Sequence, residues 1–504
     1  MAQSYIYILT IPLGYLILKE NTMKKILIIL LLSFMIYGRG FSQIIGGNGE
    51  GFTSVTNASD IPALLELTKV HPIAIRWPGG GDSRVAFPDL NKPGLGMNKD
   101  SIQKMYQEFR DNEGNVQYDK LDKELKQADK DAVEAQSALL SLIHISKQVK
   151  DLQVDYCLNV LMGTVESNIS AIRTLVDSGV NIISIVAGNE TFFSYKYNWE
   201  KYKSDFEPIL RACEKEFPDI PRLLCFGQDF DKKNHMGWNN EVIKYINSTG
   251  DFISGVDVHY YMMKEIKSAN TIHPKTLVYK SGEHYPELEK AFNEYIKSYR
   301  ANDQFGALVN YLKTNLPGKI YHCTEFGDKE AEYWSNTIAN SAHIFSTYCK
   351  YRNDFEILLV QNLIANWFWA ARRVAGRYDE NPDKEEKLNR CHWYSLQLAN
   401  ELPFNTPVLT ANINITQPGI YYYYFDNAGG KKYTPEINIK NGKLSSFEVH
   451  YLTGKYNYSS AGSTGFMAKG SDNTLEVKGI DRVSFKGVGD IPYNSFGYVK
   501  MLVE

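Results

Sequence analysis

Two glutamates are notable because each closes a short apolar run with the pattern of a buried strand. Glu190 ends the run that starts at Asn181, and Glu325 lies near the end of the run that starts at Lys319. A carboxylate at the end of a hydrophobic strand costs free energy unless something there uses it. If the two meet across a substrate, one suits general acid and base work and the other suits nucleophilic attack.

The elements that must position these residues alternate between short apolar runs and longer amphipathic ones. The predicted strands are His71–Trp77, Asp155–Met162, Asn181–Ala187, Arg222–Phe226, Phe252–Tyr261, Lys319–Thr324 and Glu356–Trp369, with Ile44–Gly47 or Phe52–Val55 as the first. Such alternation predicts an α/β fold with parallel strands joined by crossovers. Eight strands in about 360 residues favour a (β/α)8 TIM barrel. A doubly wound sheet is disfavoured because no G-x-G-x-x-G follows the first strand.

The predicted helices lie between these strands. They are Ile61–Lys69, Lys120–Leu152, Ser167–Ser178, Trp199–Phe217, Asn239–Asn247, Glu287–Tyr299 and Glu330–Lys350. From Asn405 onward the pattern changes to short alternating strands separated by Gly, Asn and Asp turns, which predicts a C-terminal β-sandwich. We therefore expect an upstream segment with a signal peptide at residues 1–42, a barrel at 43–403 and a sandwich at 404–504.

Polar and aromatic residues recur at the predicted strand ends. In strand order they are Arg76 and Asp82, Asn159, Asn189 and Glu190, Gln228 and Asp229, His259 and Tyr261, Glu325, and Trp367 with Trp369. The C-terminal ends of the strands form the active site in barrels of this kind. An open cleft of the size of a sugar is the simplest interpretation.

Composition and the N-terminus narrow the class of protein. The formal net charge is −3 with no long run of one sign, which argues against a nucleic-acid binder. Met23 begins a short basic start, followed by an apolar run from Ile26 to Tyr37. This pattern predicts a secretory signal peptide cut before Gln43, and a secreted or periplasmic protein with no integral membrane span in its mature form. The six cysteines show no CxxC spacing, which argues against a zinc site.

The strand-end motifs resemble those of clan A glycoside hydrolases. Asn189-Glu190 after strand 4, Glu325 after strand 7 and His259 with Tyr261 on strand 6 fit that clan. Arg76-Trp-Pro-Gly-Gly80 is similar to the Arg-aromatic-Pro-Gly-Gly stretch of its arabinofuranosidase, β-xylosidase and β-glucuronidase families. The resemblance implies a barrel with a C-terminal sandwich that hydrolyses glycosides with retention of configuration.

The resemblance also implies a role for each residue. Glu190 would be the acid/base and Glu325 the nucleophile, with Asn189 binding the sugar 2-hydroxyl. Arg76 and Tyr261 would keep Glu325 ionised, and His259 would share the face of Tyr261. The remaining substrate contacts would come from Trp367, Trp369, Asp82 and Gln228. Carbohydrate is the only partner predicted, and no cofactor or metal is implied.

Two other functions remain open at this point. A non-catalytic glycan-binding protein would keep the same barrel and cleft, although the presence of both glutamates argues against it. A metal-dependent hydrolase needs clustered ligands, and the sequence has no His-x-His spacing. Structural interpretations also remain: Arg76 as a buried ion pair, and His259 and the tryptophan pair as core residues.

Overall fold

Eight parallel strands close into a barrel. They are β1 Ile44–Asn48, β2 Ile73–Trp77, β3 Leu152–Cys157, β4 Asn181–Ala187, β5 Arg222–Phe226, β6 Gly255–Tyr261, β7 Ile320–Gly327 and β8 Ile357–Val360. Each strand pairs with the next, and β8 pairs with β1 to complete the ring. The predicted barrel is confirmed, and its first strand is the Ile44 alternative.

The computed structural model describes residues 43–49, 60–108, 115–134, 136–193, 198–227, 233–261, 296–301, 303–327, 338–365, 371–373, 388–389, 391–403, 408–409, 413–453, 481–485, 489–492 and 494–504. The predictions for the signal peptide, Gln228, Trp367 and Trp369 lie outside these ranges. Within them, no helix combines the length and apolar character needed to cross a membrane.

Helices surround the barrel. They are α1 Ile61–Leu67, α2 Lys99–Glu108, α3 Tyr118–Asp131, α4 Ala138–Gln148, α5 Val165–Asp177, α6 Trp199–Glu216, α7 Lys233–Thr249, α8 Gln304–Asn315, α9 Ile338–Tyr351 and α10 Cys391–Asn400. Their apolar faces and the strands form the main core. Side-chain caps fix several starts: Thr164 accepts from Ser167 N–H, and Asn198 accepts from Lys201 N–H.

Several predicted elements were wrong in extent, and two of the differences change the order of the elements. The single helix Lys120–Leu152 is two helices, because the Asp131 carboxylate at the end of α3 accepts hydrogen bonds from Leu95 N–H and Met97 N–H at 2.6 and 2.9 Å. Ser137 then caps α4. Strand Glu356–Trp369 stops at Val360, and Ile364–Ala365 (β9) instead joins a small sheet with β10 (Arg372–Arg373) and β11 (Leu388–Asn389).

The C-terminal region is a sandwich of two sheets. A five-stranded sheet has the order β12-β14-β18-β16-β17, formed by Val408–Leu409, Gly419–Asn427, Ser495–Val503, Leu444–Thr453 and Asp481–Phe485. A two-stranded sheet, β13 (Ile413–Ile415) with β15 (Ile437–Ile439), packs on one face of it. The other face packs on α9 and α10. The predicted sandwich is confirmed.

Candidate active site

The turn after β4 presents Glu190 to the barrel mouth. Gly188 has φ of +89°, and a Cβ there would lie 2.7 Å from Val160 Cγ2, so only glycine fits. Glu190 itself has φ of +46°, which is uncommon for a residue with a side chain and indicates a conformation fixed by its surroundings. The Tyr202 hydroxyl donates to Ala187 O and accepts from Cys225 N–H, which fastens this end of β4 to β5.

A bulge in β7 directs Glu325 into the barrel. Val258 pairs with Cys323 and His259 with Glu325, so Thr324 is an extra residue on β7. Successive side chains of a strand alternate between its two faces, and a bulge redirects the side chain that follows it. Thr324 Oγ1 donates to Asp257 Oδ1 at 2.7 Å inside the barrel. Glu325 can therefore face the same interior as its neighbour.

Three strands supply hydrogen-bond donors to Glu325. Asn48 Nδ2 and Arg76 Nη1 donate to Oε1 at 3.0 and 2.9 Å, and the Tyr261 hydroxyl donates to Oε2. All of these side chains are buried. These donors satisfy both oxygens of a buried carboxyl and fix its orientation.

Arg76 is the buried cation of the site. Its Nη1 also donates to Asn189 Oδ1 at 2.8 Å, so one guanidinium joins the ends of β4 and β7. Burial acts to lower the pKa of Arg76, but Cys157, Asp257 and Glu325 outweigh it and raise the pKa well above its usual value. Arg76 thus forms a buried ion pair, which was one interpretation of this residue, and its partner in that pair is Glu325.

His259 lies between the two glutamates. Its Nδ1 is 2.9 Å from Glu190 Oε1 and 3.6 Å from Glu325 Oε2, and its Nε2 is 3.6 Å from Asp257 Oδ2. Burial alone would lower the pKa of His259, but the charge of Glu325 and hydrogen bonds with Asp257 and Glu190 raise it to about 9. The ring is therefore protonated near neutral pH and carries a positive charge between two carboxylates.

The same three side chains have a geometry that a metal ion could also use. One ligand atom each from Glu190, His259 and Glu325 lies within 4.8 Å of the others. The three residues come from the ends of β4, β6 and β7, so no local ligand spacing in the sequence marks the cluster as a metal site. The raised pKa of His259 means that a metal would have to displace a proton, and the Arg76 charge already faces Glu325. We therefore interpret these three side chains as a group that shares protons rather than as a set of metal ligands.

The loop after β2 brings a second arginine to Glu190. Gly79 and Gly80 have φ of +73° and +49°, and a 3₁₀ helix, Gly81–Arg84, follows. Arg84 Nη2 lies 3.8 Å from Glu190 Oε2, and its Nε donates to Asn189 O at 3.4 Å. Asp82, the predicted substrate contact, forms part of this turn, where its carbonyl accepts from Ala86 N–H.

A second ionic group lies deeper in the barrel. Asp155 accepts from the Ser184 hydroxyl, and His322 Nδ1 lies 3.4 Å from Asp155 Oδ1. His322 Nε2 is 3.6 Å from Glu356 Oε2. Burial would lower the pKa of His322, but the nearby carboxylates of Asp155 and Glu356 raise it to about 9. Asp155 also faces Arg76, whose Nε is 4.0 Å away.

Solved structures share this architecture. The chain superposes on a family 51 α-L-arabinofuranosidase from Bifidobacterium longum with a TM-score of 0.54 and 10% identity, covering 92% of this chain and 95% of that chain. A GH86 protein in complex with neoagarooctaose gives 0.44 and 12%, covering 92% and 75%. Xylanase 10B from Thermotoga maritima gives 0.33 and 12%, covering 72% and 96%.

The likeness to the arabinofuranosidase shows that the two chains share a fold, and it confirms the resemblance of the sequence at that level. No protein-family model and no curated protein matches the sequence.

The structure brings six of the predicted site residues together: Glu190, Glu325, Asn189, Arg76, His259 and Tyr261. Asn159, also at a strand end, instead fastens a loop by donating to Ala86 O. Sequence reasoning missed Asn48, Thr324 and the contact of Arg84 with Glu190. Asn48 had a usable signal, since it is a polar residue that closes the apolar run of β1.

Proposed function

We propose that this protein is a retaining glycoside hydrolase that cleaves β-type bonds of a polysaccharide or oligosaccharide by double displacement. The observation that carries the proposal is the approach of Glu190 and Glu325, which have oxygens within 4.8 Å of each other. Retaining enzymes hold their two carboxyl groups about 5–5.5 Å apart, whereas inverting enzymes need about 6.5–9.5 Å. The spacing therefore favours retention.

In the first step a Glu325 oxygen attacks the anomeric carbon while the bond to the leaving oxygen breaks. Glu190 gives its proton to that oxygen, and a glycosyl-enzyme forms. Hydrogen bonds from Asn48, Arg76 and Tyr261 orient the Glu325 carboxyl for this attack. Asn189 Oδ1 already accepts a hydrogen bond from Arg76, so the Asn189 side chain offers its amide N–H groups to the sugar.

In the second step water attacks the anomeric carbon, Glu190 takes the proton of that water, and the bond to Glu325 breaks. Glu190 must gain and lose a proton in each cycle. His259, 2.9 Å from Glu190, orients this carboxyl in both steps.

The N-terminal pattern supports action outside the cytoplasm. The proposed substrate is a matrix glycan such as that of plants or algae. A glycan-binding protein on the same barrel is the alternative. The donors gathered on Glu325 favour the enzyme, because binding alone does not require one carboxyl to be held by three donors beside a second carboxyl.

The test is reducing-sugar release from neutral, uronic and sulfated polysaccharides. We expect release by the wild type and a loss of at least about 10³-fold in Glu325→Gln and Glu190→Gln. Glu166→Gln, an exposed carboxylate in the first turn of α5, is the matched control and should retain full activity. Retention is read from the anomer first formed, by proton NMR.

Three outcomes would count against the proposal. Activity that survives in both glutamine variants refutes the site, and an inverted first product refutes the double displacement. Activity abolished by a chelator and restored by a metal would point to metal-dependent hydrolysis at the Glu190, His259 and Glu325 cluster.

A further inference from the structure

Two cationic groups face Glu190 in the described part of the chain. His259 Nδ1 lies 2.9 Å from Oε1, and Arg84 Nη2 lies 3.8 Å from Oε2. A cation within this range favours the ionised form of a carboxyl. The proposed acid step requires the opposite, a protonated Glu190. Glu325 supplies a nearby negative charge, but three donors, Arg76 among them, already engage it.

Arg84 is placed differently from the buried Arg76. Its side chain is 27% exposed. The residue is the last of the 3₁₀ helix in the loop after β2. Its Nε donates to Asn189 O, which fixes one edge of the guanidinium. The next residue, Val85, is buried against Ile102 and Met105 of α2, so the loop is anchored. A guanidinium that is fixed in place and partly exposed is well suited to binding a carboxylate or a sulfate through two parallel hydrogen bonds.

A second carboxyl lies near Arg84. Glu124 of α3 accepts from the Tyr106 hydroxyl at 2.8 Å and lies within electrostatic reach of Arg84. Burial raises the pKa of Glu124 above its usual value. Among the described residues, Glu190 is the carboxylate whose oxygen lies close to the Arg84 guanidinium, at 3.8 Å.

We propose that Arg84 binds an anionic group, a carboxylate or a sulfate ester, on the leaving-group sugar. This inference rests on the proposed function. Glu190 protonates the departing oxygen, so a residue beside Glu190 lies next to the sugar that leaves. The bound anion neutralises Arg84 and thereby allows Glu190 to take up its proton. An acidic glycan would then promote its own cleavage, and a neutral one would not.

The experiment uses matched pairs of oligosaccharides: a uronic-acid-containing one with its carboxyl-reduced form, and a sulfated one with its desulfated form. We expect the wild type to favour a charged member by at least about tenfold in kcat/KM, the effect of one charge-assisted hydrogen bond. Arg84→Met should abolish this preference, and Arg84→Lys should keep part of it. The pair that shows the preference distinguishes carboxylate from sulfate.

Arg173→Met is the matched control, because Arg173 is an exposed arginine of α5 paired with Glu216. It should leave the preference unchanged. On a neutral substrate, Arg84→Met should move the alkaline limb of the kcat/KM profile up by about 0.5–1 pH unit, since Glu190 then faces one cation fewer. A purely structural role for Arg84 would lower activity at every pH without moving the limb.

Equal hydrolysis of charged and neutral members, or a preference that survives Arg84→Met, overturns the inference. If no pair is cleaved, the proposed function fails and calorimetric binding by the Glu325→Gln protein decides this inference separately. Tighter binding of a charged member that Arg84→Met removes would support it. Equal binding within each pair, or none, would overturn it.

Discussion

At the scale of single residues, the site is a set of charges that neutralise one another. Glu325 receives hydrogen bonds from Asn48, Arg76 and Tyr261, and His259 connects it to Glu190. Charges this deeply buried are tolerated only when paired and hydrogen-bonded. Each donor therefore helps to hold and orient the Glu325 carboxyl, and removing one should lower the activity.

Tyr261→Phe tests the donor on Oε2. The variant keeps the ring and loses one charge-assisted hydrogen bond, which is worth about 1.5–3 kcal/mol. We expect kcat/KM to fall by about 10- to 150-fold because the nucleophile is less well oriented. Tyr118→Phe, at a residue that is 68% exposed, is the control and should match the wild type. A kcat/KM equal to that of the wild type would show that the Tyr261 hydroxyl does not act through Glu325.

Site residues that end apolar strands could be predicted from the sequence. Contacts that depend on how distant segments pack together could not. Glu190, Glu325, Arg76 and Tyr261 carry a local signal, because each interrupts or closes a hydrophobic run. Arg84 follows three glycines that would let a loop approach a ligand, which made it a candidate sugar contact. Its position 3.8 Å from Glu190 depends on the path of the loop after β2 and could not be predicted.

At the scale of elements, tight turns and a bulge give the site its shape. The loop after β2 passes so close to β1 that a Cβ on Gly79 would lie 2.0 Å from Asn48 Oδ1. The same glycine has φ of +73°, a conformation that L residues rarely adopt. Gly79 thus allows this loop and a donor of Glu325 to occupy adjacent space.

Gly79→Ala should therefore lower both stability and activity. We expect a loss of about 2–3 kcal/mol in the free energy of unfolding, from backbone strain and the steric clash, and a lower kcat because Asn48 is displaced. Urea unfolding and steady-state kinetics measure the two effects. Gly179→Ala is the matched control: its φ is +83° with nothing within 4 Å of the added Cβ, so it should cost about 1 kcal/mol and leave kcat unchanged. Equal effects of both substitutions on kcat would contradict the role of Asn48.

The first and last residues of a strand could be predicted where the apolar pattern begins and ends abruptly. β4 and β5 match their predicted limits because polar or turn residues flank them. The strand predicted to reach Trp369 stops at Val360 because Gln361 and Asn362 interrupt the run, and Gln361 N–H bonds instead to Phe326 O. The bulge at Thr324 leaves no trace in the apolar pattern.

At the scale of the whole molecule, the C-terminal sandwich braces the barrel. Phe496 of β18 packs on Phe345 of α9, and Tyr422 and Tyr424 face the same cluster while Tyr421 and Tyr423 face the sandwich core. Arg300 adds polar contacts, since its Nη2 donates to Asp426 Oδ1 at 2.6 Å and to Ala428 O at 3.1 Å. The tyrosine run at 421–424 thus serves packing on both faces of its strand.

The barrel interior makes the stability of the molecule depend on pH. His259 and His322 are both buried with a pKa of about 9. The usual value in an unfolded chain is about 6.5. Because the folded pKa is the higher one, each contribution is complete below about pH 6.5 and is lost as the pH rises through about 9. For each histidine the shift corresponds to about 3 kcal/mol.

We therefore expect the free energy of unfolding, measured in urea, to fall steadily between pH 6.5 and pH 9. His322→Gln should be less stable than the wild type at pH 6, because Asp155 loses its cation, and should show a flatter decline toward pH 9. His144→Gln, an exposed histidine of α4, is the control and should follow the wild-type curve. The two curves of wild type and His322→Gln should converge above pH 9, once the wild-type ring has lost its charge. Parallel curves would mean that His322 stabilises the barrel by packing rather than by its charge.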